Sequence, residues 1–174
     1  GTLNPTSSGV LGDSSGSCKP VIIFGNYAVG IPINNTNGVQ IQVTVAVPGA
    51  YTITTNTVNG ISFSKSGTFQ FTGPQNVLLT ATGTPTTPGN SNFILNYGNS
   101  QCAFALNILG DATGTLGSGG GNCTSFILAG TYQQGIALNT GNTVQIQVNV
   151  STPGVYNIKS DIANGISLDR NSVV

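Results

Sequence analysis

The sequence predicts an all-β chain of short antiparallel strands packed as sandwich units in tandem, and three observations predict it. Apolar and polar residues alternate with period two, turn-forming residues recur about every ten positions, and no helical period is present. The chain also matches itself, without gaps, at an offset of 105 residues, the separation of Cys18 and Cys123.

The alternation is plainest in Val39-Gln40-Ile41-Gln42-Val43-Thr44-Val45, which reads as a half-buried strand with Val and Ile inward and Gln and Thr outward. Pro48-Gly49 supplies a turn, Tyr51–Thr54 the next strand, and Asn59-Gly60 a turn suited to positive φ. Further strands are expected at Val21–Phe24, Ile61–Ser64, Thr68–Thr72, Val77–Thr82, Asn92–Tyr97 and Ala103–Ile108. Seven to nine short strands in about 90 residues is the count and spacing of an immunoglobulin-like β-sandwich. Composition agrees: 25 Gly and 8 Pro in 174 residues, with abundant Thr, Asn and Ser, disfavour helices.

The self-match sets the organisation. Cys18, Gly25, Tyr27, Gly30 and Ile31 fall on Cys123, Gly130, Tyr132, Gly135 and Ile136. Val39–Val43 falls on Val144–Val148, Tyr51 on Tyr156, and Asn59–Ser62 on Asn164–Ser167. Residues 18–110 then form a complete unit and residues 123–174 the first half of a second. Residues 1–17 read as a Gly/Ser-rich connector or the end of a preceding unit, and residues 111–122 as a Gly/Ser-rich linker. A half-sandwich leaves an apolar face wet and strand edges unpaired. The second unit is therefore expected to be completed by further strands of its own chain or by a neighbouring copy.

The whole unit resembles the immunoglobulin-like tandem repeats of large secreted and cell-surface proteins of Bacteroidota-type bacteria. The resemblance rests on the Pro-Gly-x-Tyr turn, the Val58–Ser64 hairpin, the Gly83–Pro85 segment and the Asn-x-x-Cys before the last apolar strand. It implies an extracellular location and names no ligand.

Cys18 opens the first strand and Cys102 opens the last, so a disulfide between them would join the two ends of one unit; two buried free thiols are the alternative. Such a bridge belongs to an oxidising compartment. Cys123 has no counterpart of Cys102 in this chain, where the register would put one near position 207.

Charge and residue types exclude several functions. Lys19, Lys65, Lys159 and Arg170 balance Asp13, Asp111, Asp161 and Asp169, so no basic patch exists for nucleic acid or an anionic membrane surface. No apolar stretch is long enough to span a bilayer. His and Glu are both absent, which removes the usual general bases, the Ser-His-Asp and Cys-His arrangements and most metal ligands. No cofactor and no catalysis are expected. Tyr27, Tyr51, Tyr132 and Tyr156 could stack on sugar rings, although their matching places in the two repeats favour a structural role. The expected function is a structural or adhesive repeat of an extracellular fibre, filament, stalk or adhesin, with further repeats or other copies as partners. The alternative is an accessory carbohydrate-binding module that contacts surface glycans.

Overall fold

The computed structural model describes residues 5–117, 121–123 and 125–174. Residues 1–4 of the first expected connector and 118–120 of the second lie outside the described residues. The described chain is all-β with antiparallel sheets and divides into two compact units, residues 1–110 and 111–174.

The first unit contains β1 (Ser8–Leu11), β2 (Val21–Phe24), β3 (Gly38–Val47), β4 (Gly49–Thr55), β5 (Ile61–Phe69), β6 (Gly73–Gly83), β7 (Gly89–Tyr97) and β8 (Ser100–Ile108). They form one sheet in the order β1-β3-β6-β5-β4-β7-β8, with β2 also on β3. β1 and β2 share one edge of β3, β1 along Val43–Val47 and β2 along Gly38–Ile41. β5 changes partners along its length: Ile61–Ser64 pairs β6, and Ser64–Phe69 pairs β4. The two ends of this order meet. Ser17 bridges Ala103, Ala28 bridges Leu109, and Val29 N donates to Leu109 O at 2.9 Å. The outer edge of β8 is thereby met at Ala103 and just past its end at Leu109, which shortens the template for stray strand pairing.

The core follows from the alternation. Val39, Ile41, Val43 and Val45 of β3 lie beside Val77, Leu79 and Ala81 of β6, all buried, with Phe63, Phe93, Leu95 and Phe104 from the other strands. The Asn59-Gly60 turn takes φ of 52° and 74° and is closed by reciprocal backbone bonds between Val58 and Ile61 of 2.9 Å each, the geometry that Asn-Gly favours. The Asn59 carboxamide then orders the following loop. Its oxygen accepts from the backbone N–H groups of Thr86 and Thr87 at 3.0 and 2.9 Å, and its nitrogen donates to Thr87 O at 2.7 Å.

Two expectations are corrected here. Residues 8–11, read as connector or the end of a preceding unit, form β1 of the first unit: Leu11 is buried, and Gly9 allows an approach to β3 in which a Cβ would strike the Thr44 carbonyl. Glycine at that position marks close backbone contact rather than flexibility. The strands expected separately at Ile61–Ser64 and Thr68–Thr72 are a single β5 that ends at Phe69. Gly67 lies inside it because the Tyr51 ring covers that position, within 2.8–3.0 Å of where a Cβ would stand.

The second unit contains β9 (Thr113–Leu116), β10 (Ile127–Ala129), β11 (Thr143–Gln145), β12 (Val148–Thr152), β13 (Val155–Lys159) and β14 (Asp169–Val173). β9, in the segment read as linker, pairs β12; β10 pairs β11; β13 pairs β14. Each of these registers lies 105 residues beyond one in the first unit: Val148↔Leu116 beyond Val43↔Leu11, Ile127↔Gln145 beyond Ile22↔Gln40, and Lys159↔Asp169 beyond Thr54↔Ser64.

Candidate functional site

The tyrosines singled out from sequence divide by burial. Tyr27 is only 2% exposed and its hydroxyl donates to Gly38 O at 3.3 Å. It offers no ring face to a ligand. Tyr51 is half-buried and stacks on Phe69 with centroids 4.1 Å apart, so one of its faces is already taken by its own core. Tyr132 donates to Thr143 O at 3.4 Å, the counterpart of the Tyr27 bond, and Tyr156 is likewise half-buried. Tyr97, the fifth tyrosine, is buried and donates to the Ser7 hydroxyl at 2.7 Å.

Burial pushes the Tyr27 phenol up to about 12, the Gly38 carbonyl contact opposing it more weakly, and burial also raises Tyr51. Because the folded value of Tyr27 exceeds its unfolded one, its contribution to stability is complete below pH ~10 and is lost as pH rises through about 12. An alkaline titration followed by phenolate absorbance is expected to show Tyr27 ionising late, together with the onset of unfolding. Ionisation of Tyr27 in the ordinary range with the fold intact would contradict this placement.

Cys18 and Cys102 form a disulfide with Cα atoms 5.0 Å apart, both cysteines buried. Around it, Cys18 N donates to Ala103 O at 3.0 Å and Ala103 N to Gly16 O at 2.9 Å. The bridge therefore pins the stretch between β1 and β2 to the outer strand β8. Cys123 is free and exposed.

Among the described residues no three His, Cys, Asp or Glu side chains gather to hold a metal ion. Asp13 closes its own turn, accepting from the Ser15 hydroxyl and from Ser15 N at 2.9 Å, and these bonds hold its carboxyl below the usual range. Asp169 stands across the strand pair from Lys159. Among the described residues, two shallow depressions lie on the first unit. One of about 510 Å³ lies between β1 and the β7–β8 turn, by Ser8, Val10, Asn99 and Ser100; the other, of about 260 Å³, lies by Pro48, Thr68 and Gln70. Neither holds a charged group.

Two apolar surfaces stand out; the first was not foreseen from the sequence, and the second is the wet face expected of the second unit. On the outer face of the first unit, Ile22, Gln40 and Leu78 are register neighbours across β2, β3 and β6, with Ile22 and Leu78 exposed. The uninterrupted apolar run of Val21–Phe24 was its only signal in the sequence. In the second unit, the residues that match the first unit's core are open: Val150 is 41% exposed against 2% for Val45, and Leu116 is 45% exposed against 4% for Leu11. No helix among the described residues is long and apolar enough to cross a membrane. No known protein family, curated protein or solved structure matches this chain.

Proposed function

We propose that the chain consists of immunoglobulin-like sandwich units in tandem and serves as a non-catalytic structural or adhesive part of an extracellular surface fibre, stalk or adhesin. The observation that carries this reading is the recurrence of strand pairings in one register, 105 residues apart, in both units. A chain that repeats its ladder residue for residue builds length rather than one unique cleft. The strand order supports this reading: β5 pairs β6 through Ile61–Ser64 and β4 through Ser64–Phe69, a change of partner that would let it pass from a layer of β3 and β6 to one of β4, β7 and β8.

The disulfide supports an oxidising location, and the lack of His and Glu throughout supports a role without catalysis. With only four cations and four anions in 174 residues, little charge repulsion opposes close association of neighbouring units. Repeats of this kind occur in large secreted and cell-surface proteins of Bacteroidota-type bacteria, and we assign the chain to that setting.

Immunogold labelling of the producing cells is expected to place the chain on external filaments or on the outer surface, and labelling confined to the cell interior would overturn the reading. A glycan array supplies the second arm. A structural repeat shows no saturable sugar binding, whereas saturable binding abolished by Tyr51→Ala or Tyr156→Ala would establish a carbohydrate-binding module instead.

A further inference from the structure

The outward-facing residues of the two units are not equally alike. Ile22, Gln40 and Gln42, on the outer side of β2 and β3, recur unchanged as Ile127, Gln145 and Gln147. Their pairing recurs as well, Ile22↔Gln40 in the first unit and Ile127↔Gln145 in the second. On the outer side of β4 and β5, by contrast, Thr52, Thr54, Ser64 and Ser66 give way to Asn157, Lys159, Asp169 and Asn171, and Ser62 alone is kept, as Ser167. Water makes no such distinction, because a solvated strand position accepts most polar residues at little cost. An outward set that stays fixed while its neighbours change answers to a further constraint.

In the first unit this set belongs to a patch that its own chain leaves unfinished. Gln40 lies between Ile22 on β2 and Leu78 on β6, and Gln42 lies beside Asn76. Ile22 and Leu78 are 48% and 53% exposed, and Gln40 and Gln42 are half-buried. Among the described residues neither glutamine carboxamide has a hydrogen-bond partner, whereas hydroxyls on the β4–β5–β6 side pair with one another, Thr52 with Ser66 at 3.0 Å and Ser62 with Thr82 at 3.2 Å. The patch also carries no charge. Lys65 is the only charged residue from Pro20 to Gly110, and it stands across from Ile53 on β4.

We propose that this β2–β3–β6 face is an interface between copies of the chain, in which it packs on the same face of a second copy. The proposal rests on reading the two units as repeats, and it names the partner of the structural role given above. Self-complementary chemistry selects a second copy. A carboxamide both donates and accepts, so Gln40 and Gln42 of one copy supply what those of the other lack. Ile22 and Leu78 leave water against their equivalents, and a face without charge meets itself without repulsion. A surface that meets its own equivalent closes as a two-fold pair. Three strands about 4.8 Å apart fall short of the roughly 800 Å² per partner of a standard-sized complex. Contact between single units is therefore weak and gains strength as successive units engage, which is why each unit keeps the same residues.

Sedimentation equilibrium of the full 174-residue chain is expected to show weak, reversible self-association. Leu78→Lys or Leu78→Asp alone brings like charges together and is expected to weaken it about tenfold or more. An equal mixture of the two variants is expected to restore association to within about threefold of the original chain. Thr54→Lys, on the outward side of β4, changes it by no more than about threefold. An apolar photo-crosslinker in place of Leu78 is expected to label Ile22, Gln40, Gln42 or Asn76 of a second copy, or the equivalents Ile127, Gln145 and Gln147. This arm carries the test by itself if urea denaturation shows that a charged variant has lost its fold.

A chain that stays monomeric at millimolar concentration would overturn the proposal, as would folded charge variants that associate as before or whose mixture fails to recover. Crosslinks confined to Leu116 and Val150 would assign the association to the apolar face of the second unit instead. Saturable binding of a neutral glycan, lost in both Leu78 variants of a chain that does not self-associate, would make the occupant a sugar. Location is a separate readout: association through this face in a chain found inside the cell would keep the interface and remove only the surface role.

Discussion

Phe63→Ala is expected to destabilise the first unit by about 3–5 kcal/mol, the range for truncating a fully buried phenylalanine. Phe63 is among the largest side chains with essentially no exposure. Its ring meets Phe93 edge-on at 5.1 Å and Phe104 at 5.6 Å, and lies 6.1 Å from Tyr27. These rings come from β5, β7, β8 and the loop after β2, so the cluster ties both ends of the strand order together. A void at Phe63 removes a partner from three rings that backbone pairing holds in place. The surroundings cannot easily collapse into it. Urea denaturation of the variant measures the loss, and Phe71→Ala is the control, since Phe71 is 72% exposed and its replacement should fall within about 0.5 kcal/mol of zero. A loss below about 1 kcal/mol for Phe63→Ala would mean that the aromatic cluster is not a structural centre.

Much of the strand pattern was legible because it depends on nearest neighbours along the chain. A period-two alternation such as Val39–Val45 marks a half-buried strand wherever it pairs, and Asn59-Gly60 marks its turn whatever lies around it. The glycines were harder, because one residue type serves opposite purposes. Gly9 lies in the expected connector and Gly67 between two expected strands, yet each sits inside a strand where another group needs the space, the Thr44 backbone in one case and the Tyr51 ring in the other. Such a use shows only once partners are placed in register. The same limit governed the candidate site. Tyr27 could be named but not oriented, and its burial depends on long-range packing against Phe63 that no local pattern encodes. The 105-residue offset set the second unit's expected strands against those of the first. That residues 143–150 correspond to the edge of β3 that carries β6 followed only from seeing β6 seated between β3 and β5.

Reducing the Cys18–Cys102 disulfide, or replacing Cys102 by Ser, is expected to cost the first unit about 4–5 kcal/mol, from the chain entropy released when a loop of 84 residues opens. That is a large share of the roughly 5–15 kcal/mol that stabilises an ordinary domain, so urea denaturation should shift to a much lower midpoint. The position of the bridge has a mechanical consequence as well. Tension entering before Cys18 and leaving after β8 passes through the sulfur–sulfur bond and bypasses residues 19–101. With the bond intact, those residues cannot be drawn out. After reduction, single-molecule extension of the first unit is expected to gain contour length from 84 residues at roughly 3.5 Å each, about 290 Å. A surface fibre would benefit from such a bypass, because its units would keep their folds under load. Equal extension before and after reduction would show that force does not travel through the bridge, and would remove this support for a tension-bearing role.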